Sequence, residues 1–107
     1  MARLVVSNEA DADTSEILDY LAREAGSAVA GIYAKRFLTA LERITDIPES
    51  GAPRGALGPA SRVVIVYPYI LIYDYSKADD TVTLLRILHG KRNISGDDLK
   101  RKGDPTA

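Results

Sequence analysis

The chain has no cysteine and no tryptophan, one methionine and one histidine. Without cysteine there are no disulfides, no thiolate nucleophile and no sulfur-ligated metal site, which fits a reducing compartment. A lone imidazole leaves almost nothing from which to build a histidine metal centre, so neither a metal nor a cofactor is expected. No apolar run approaches the roughly 18 residues that would span a bilayer. The N-terminus also lacks the basic-then-apolar order of a secretory signal, so a cytoplasmic protein with no membrane partner is expected. P-loop, dinucleotide-binding, nucleophile-elbow and paired-histidine motifs are all missing. The formal net charge of -1 argues against an arm-like electrostatic nucleic-acid binder.

What is present is an ordinary folded composition. At 107 residues, with 46% hydrophobic and 27% charged side chains, the chain has room for a single core and enough apolar surface to form it. Charge is unevenly spread. Residues 1–53 hold five Lys/Arg against nine Asp/Glu, whereas residues 54–107 hold nine against six. Basic character is therefore displaced toward the C-terminal half, where an anionic partner would be met.

Leu4, Val5 and Val6 form a short apolar run that reads as a strand. Asp13 and Glu16 then have the spacing of a helix-capping pair, and Ile17, Leu18, Leu21 and Ala25 recur on one helical stripe that Gly26 ends. Ser27 is placed to cap a second helix, with Val29, Ile32, Tyr33, Phe37, Leu41 and Ile44 on one face up to Pro48. So short a connection predicts an antiparallel helical hairpin. Residues 48–61 carry Pro48, Gly51, Pro53, Gly55, Gly58 and Pro59, a density of breakers that predicts one long loop. Three runs rich in Val, Ile and Tyr follow, Arg62 to Tyr67, Tyr69 to Tyr75 and Thr81 to Leu88, and predict an antiparallel meander. The expected fold is a two-layer α+β domain in the order β-α-α-β-β-β, with the hairpin on one face of a small, mostly antiparallel sheet. The domain is expected to span residues 1–94, and the polar residues 95–107 to form a flexible tail.

The chemistry-bearing candidates are cations. Arg62 opens the second strand, Arg86 is inside the last, and His89, Lys91 and Arg92 follow just beyond. Strict alternation would put Arg86 on the side of Val82, Leu84 and Leu88. A guanidinium there must pair with a carboxylate or open onto a groove away from the helices. For Arg62 the competing reading is ordinary surface, for His89 a strand-end hydrogen bond, and for Lys91 and Arg92 solvation. Tyr69, Tyr73 and Tyr75 share one strand face and read as packing in preference to a base-stacking platform. Asp13, Glu16 and Asp19 read as a solvated helix face plus cap.

These residues resemble the RelE/ParE superfamily of type II toxin-antitoxin toxins over about residues 3–94. The resemblance is carried by Ala10, Asp13, Ile17 and Tyr20, by Pro48 and Gly51, by Arg62 with Tyr69 and Tyr73, and above all by the closing run Leu85-Arg86-Ile87-Leu88-His89-Gly90-Lys91-Arg92. Asn93 stands where ParE-like members often carry Asp. The resemblance implies one of two activities. ParE-like toxins bind DNA gyrase and block its turnover. RelE-like toxins cut messenger RNA on the ribosome. Both are silenced by an antitoxin that wraps over the toxin. A third possibility is a non-toxic interaction module of the same fold.

Arg62 and Arg86 match the positions of phosphate-binding arginines in RelE-like members. However, residues 93–107 hold no Tyr or His and residues 48–61 no Lys to move protons. The expectation is therefore a ParE-like gyrase inhibitor that binds without catalysis, with Arg62, Arg86, His89, Lys91 and Arg92 as target-binding candidates. If the chain is instead a ribosome-dependent ribonuclease, Arg62, Arg86 and His89 are the catalytic candidates.

Overall fold

The structure, a computed structural model, describes residues 1–90. The expected tail from residue 95, and the candidates Lys91 and Arg92, lie outside the described residues.

The first strand, β1 (Arg3–Val6), leads through Ser7 into helix α1 (Asn8–Ala25). Ser7 has extended backbone and its Oγ accepts from the Ala10 N–H at 3.0 Å, so Ser7 is the N-cap. The helix thus begins ahead of the expected Asp13 cap, because a serine joined directly to a strand satisfies the first turn. Gly26, at a φ of 95°, ends α1 in a conformation that L side chains rarely adopt. Helix α2 (Ser27–Asp46) starts at once, without the side-chain cap expected from Ser27.

The remaining strands are β2 (Ala52–Pro53), β3 (Ser61–Val66), β4 (Tyr69–Ser76) and β5 (Thr81–His89). They assemble with β1 into one five-stranded sheet in the order β1-β5-β4-β3-β2. β1 runs parallel to β5, and the other pairs are antiparallel. The two-residue β2 corrects the expectation of an unbroken loop. Its proline is tolerated because β2 is an outer strand, where a missing N–H costs no ladder bond.

The helical hairpin covers one sheet face. Phe37, Ala40 and Ile44 of α2 and Ala10 of α1 join Leu71, Tyr73, Val82, Leu84 and Ile87 in the main core. Ile32, on the same apolar stripe of α2, is half exposed. A second, smaller cluster on Val63, Ile72 and Leu88 includes Leu57 from the loop before β3. Tyr69 and Tyr73 belong to the main core and face the helices, as the packing reading required.

One irregularity changes which residues share a face. Ile72 pairs with Arg86 but its neighbour Tyr73 pairs with Leu84, so Leu85 is an extra residue in β5, a β-bulge. Val82 and Leu84 lie in the main core before the bulge, and Ile87 takes over that role after it. Leu88, expected beside Leu84, belongs to the second cluster with Leu85. Strict alternation fails here because one inserted residue inverts the parity of everything after it. Among the described residues, no helix is long and apolar enough to cross a membrane.

Candidate functional site

The two arginines singled out from the sequence are not brought together. β1 ends at Val6, so among the described residues β5 beyond Leu84 has no strand on that side. The start of α1 fills the gap. Ser7 N–H donates to the Leu84 carbonyl at 3.0 Å, and Ser7 Oγ donates to the Leu85 carbonyl at 2.9 Å. Six residues further on, in the second turn of α1, Asp13 Oδ2 accepts the Ile87 N–H at 3.0 Å. The same carboxylate grips Arg86 with two oxygens, Nε to Oδ2 at 2.6 Å and Nη2 to Oδ1 at 3.0 Å. With side-chain exposures of 19% and 12%, this is a largely desolvated, bidentate pair. Of the two fates open to Arg86, pairing is the one realised. Asp13, read as solvated, is its partner, and the bulge at Leu85 adjoins the contact. Glu16 and Asp19 are exposed as expected.

Arg62 serves the other side of the sheet. Its Nη1 donates to the carbonyls of Glu49 at 3.0 Å and Gly51 at 2.7 Å, and Nη2 reaches Glu49 Oε2 at 3.5 Å. Its cross-strand neighbour Tyr73 holds the same turn. The fully buried Tyr73 hydroxyl donates to the Pro48 carbonyl at 2.8 Å and accepts the Gly51 N–H at 2.9 Å. A Cβ on Gly51 would run into the Tyr73 ring and hydroxyl, so glycine is required there by close approach. Tyr73 and Arg62 together pin the chain where it leaves α2.

His89 ends β5 in a different environment. Its ring meets Tyr69 edge-on at 5.7 Å, and Tyr69 meets Tyr33 and Phe37 in the same manner, each at 5.7 Å. Burial, followed by the neighbouring Tyr33 and Tyr20, holds the Tyr69 phenol above its ordinary value of 10.0. Tyr69 is therefore a neutral packing group at physiological pH and no proton mover for His89. Tyr75 is also raised, chiefly because its hydroxyl donates to Asp80 Oδ1 at 2.8 Å.

A surface feature was missed from the sequence. Ile32, Arg36 and Arg43, with Lys35 alongside, form a stripe on α2 at spacings of four and seven, and they face Ile65 and Tyr67 of the β3 hairpin across an open cleft of about 620 Å³. The helical spacing was legible. That the stripe would border a sheet edge was not.

An N-terminal strand parallel to the last strand, a two-helix hairpin and an antiparallel meander define a small α+β domain of the RelE/ParE toxin fold. The family model for the ParE toxin of the type II toxin-antitoxin system, parDE, matches residues 4–94, and the chain belongs to that family. It is thus a type II toxin-antitoxin toxin of the RelE/ParE superfamily. Among solved structures it is similar to the chromosomal ParDE system of P. aeruginosa, with a TM-score of 0.68 and 20% identity over 83% of this chain and 96% of that one. The isolated E. coli RelE toxin has a TM-score of 0.56 at 18% identity, covering 87% and 88% of the two chains. The intact E. coli RelBE toxin-antitoxin complex matches with 0.55 at 18% identity, covering 86% and 100%. No curated protein matches the sequence.

Proposed function

We propose that this ParE-family toxin acts in the cytoplasm by binding DNA gyrase without catalysing a reaction, and that an antitoxin polypeptide silences it. The observation that carries this reading is the inward engagement of both arginines: Arg86 is held by Asp13, and Arg62 by the Glu49–Gly51 turn. A ribonuclease of the RelE kind needs cations disposed around a scissile phosphate and groups that move protons. Here the arginines brace separate parts of the fold. We assign Arg62 and Arg86 as positioning residues and keep His89, Lys91 and Arg92 as target-contact candidates. The antitoxin is supported by family membership and by the likeness to systems named as ParDE and RelBE toxin-antitoxin assemblies.

The purified protein should inhibit supercoiling by gyrase and leave ribosome-bound messenger RNA intact. Cutting of that RNA, lost in Arg86→Ala, would overturn the reading in favour of the ribonuclease. In cells lacking antitoxin, expression should cause filamentation with DNA-damage signalling and not an abrupt stop in translation. No growth effect at all would point to a non-toxic module. His89→Gln should weaken toxicity, and an unchanged effect would return His89 to a structural role.

A further inference from the structure

Among the described residues the sheet ends at β1, and all four residues of that strand are exposed. Native edges are commonly protected by a lysine, a proline or a bulge. Here the run is Arg3-Leu4-Val5-Val6, with Leu4 36%, Val5 39% and Val6 42% exposed. The ladder decides which backbone groups point outward. Arg3 N–H donates to the Asp80 carbonyl at 2.9 Å and Ser7 N–H to the Leu84 carbonyl at 3.0 Å, so residues 3, 5 and 7 face β5. Leu4 and Val6 therefore turn their N–H and C=O away from the sheet. The open stretch stops there, because Ala2 N–H is held by the Thr45 carbonyl at 2.8 Å and Asn8 already begins α1. Leu4 and Val6 pair in register with Val82 and Leu84 of the main core, which puts their side chains on the helix side of the sheet. There Leu4 borders an open hollow of about 290 Å³ with Leu38 and Leu41 of α2, and Leu38 is 60% exposed. Val5, in register with Thr83, lies on the other face.

We infer that this edge joins a second copy of the chain, β1 pairing antiparallel with the other copy's β1 about a two-fold axis at Val5, so that the two sheets become one. Only this register uses every outward group, each Leu4 exchanging two bonds with the Val6 across the axis. A shift either way would call on Ala2, whose N–H is already bonded, or on Asn8, which is helical. The axis stands perpendicular to the sheet, so the faces match. Leu4 meets Val6 on the helix side, where Leu38 extends the apolar row, and Val5 meets its own copy on the other. The two ends of the edge also differ in charge. Arg3 opens β1, Glu9 and Asp11 stand in the first turn of α1 beyond its end, and antiparallel pairing brings each Arg3 toward the other copy's acids. A long extended peptide would gain no more than the same two residues, since α2 and α1 close the edge on either side. At the other open edge, ladder alternation makes Ile65 the residue of β3 beyond Val63 whose N–H and C=O point outward. A two-fold pairing there would set Lys35, Arg36 and Arg43 against their own copies. One short strand and one helical row a side bury less than the roughly 1,200 Å² of stable complexes, so the dimer is weak, with a Kd of about 10–100 µM. The inference is independent of the toxin reading.

Sedimentation equilibrium of the full-length protein from about 5 to 500 µM should show a reversible exchange between monomer and dimer. Val5→Glu and Val5→Lys each set like charges face to face on the axis and should weaken the dimer by about tenfold or more. An equimolar mixture of the two should restore it, which a misfolded variant could not do. Val6→Pro removes an outward donor, leaves the ladder to β5 intact, and should weaken the dimer as well. Because the chain has no cysteine, Val5→Cys provides a covalent trap. On mild oxidation it should give a disulfide-linked dimer faster than Tyr67→Cys, although Tyr67 is 80% exposed. If a charge variant unfolds, the trap decides alone. A protein that stays monomeric throughout the range, a dimer indifferent to both charge variants, no recovery on mixing folded variants, or faster linking through Tyr67→Cys would each overturn the proposal.

Discussion

Among the described residues, the sheet has two places where a long inner strand outruns its shorter neighbour, and they are finished in opposite ways. Where β5 passes the end of β1, Ser7 and Asp13 take over the strand's hydrogen bonds, and Arg86 completes the closure. Where β3 passes the end of β2, the chain bends away to Tyr73 and leaves Ile65 facing a cation-lined cleft. An edge capped by the molecule's own side chains is part of the scaffold, and one left open is available to another chain. The same contrast separates Arg62 and Arg86, whose guanidinium groups are engaged within the fold, from the cations on α2, which border the open edge.

The comparison breaks most sharply at Asp13. Asp13→Ala removes the carboxylate that grips Arg86 and accepts the Ile87 N–H, so denaturant unfolding should show a loss of about 3–5 kcal/mol. A loss near zero would mean that the closed end is not closed by this pair. Tyr73→Phe comes next. It orphans the buried Gly51 N–H and should cost about 1–3 kcal/mol, with faster amide exchange at 48–51, the segment whose departure opens the β3 edge.

Ser7→Ala removes both the α1 cap and the bond to the Leu85 carbonyl, and should cost about 0.5–2 kcal/mol, read from the same unfolding curves. A smaller effect comes from alkaline pH. Because the fold holds the Tyr69 phenol above its ordinary value of 10.0, the unfolded chain ionises first. The stability from this group is full below that pH and is lost as pH rises through the folded value, and Tyr69→Phe should flatten that part of the profile. The smallest effect is expected at the open edge. Ile65→Ala should change stability by no more than about 0.5 kcal/mol, as suits an exposed side chain. In the wild type the Ile65 amide should also exchange with solvent well before that of Ile87, and equal protection would erase the distinction between the two edges.

Much of this architecture was legible residue by residue. The helical periods from Ile17 to Ala25 and from Tyr33 to Ile44, Gly26 between them, and the three Val/Ile/Tyr runs all reflect local rules, in which spacing chooses helix or strand and a backbone breaker ends it. The closing run around Arg86 and His89 likewise carried the family. The Ser7 cap was legible in principle, as a serine between a strand and an acidic first turn, but the Asp13–Glu16 spacing offered a competing signal. Asp13 itself could not be recognised as a partner of Arg86, since the two stand 73 residues apart.

Local spacing along the chain was therefore enough to determine the elements, their order and the family, because helix period, strand composition and breakers act over a few residues. Which charges are spent inside the fold, where the Leu85 bulge inverts the faces of β5, and which strand edge stays open were decided only by tertiary structure. Those outcomes depend on hydrogen-bond partners supplied from distant segments, and a backbone group left exposed at one edge or satisfied at another has no signature in the neighbouring sequence.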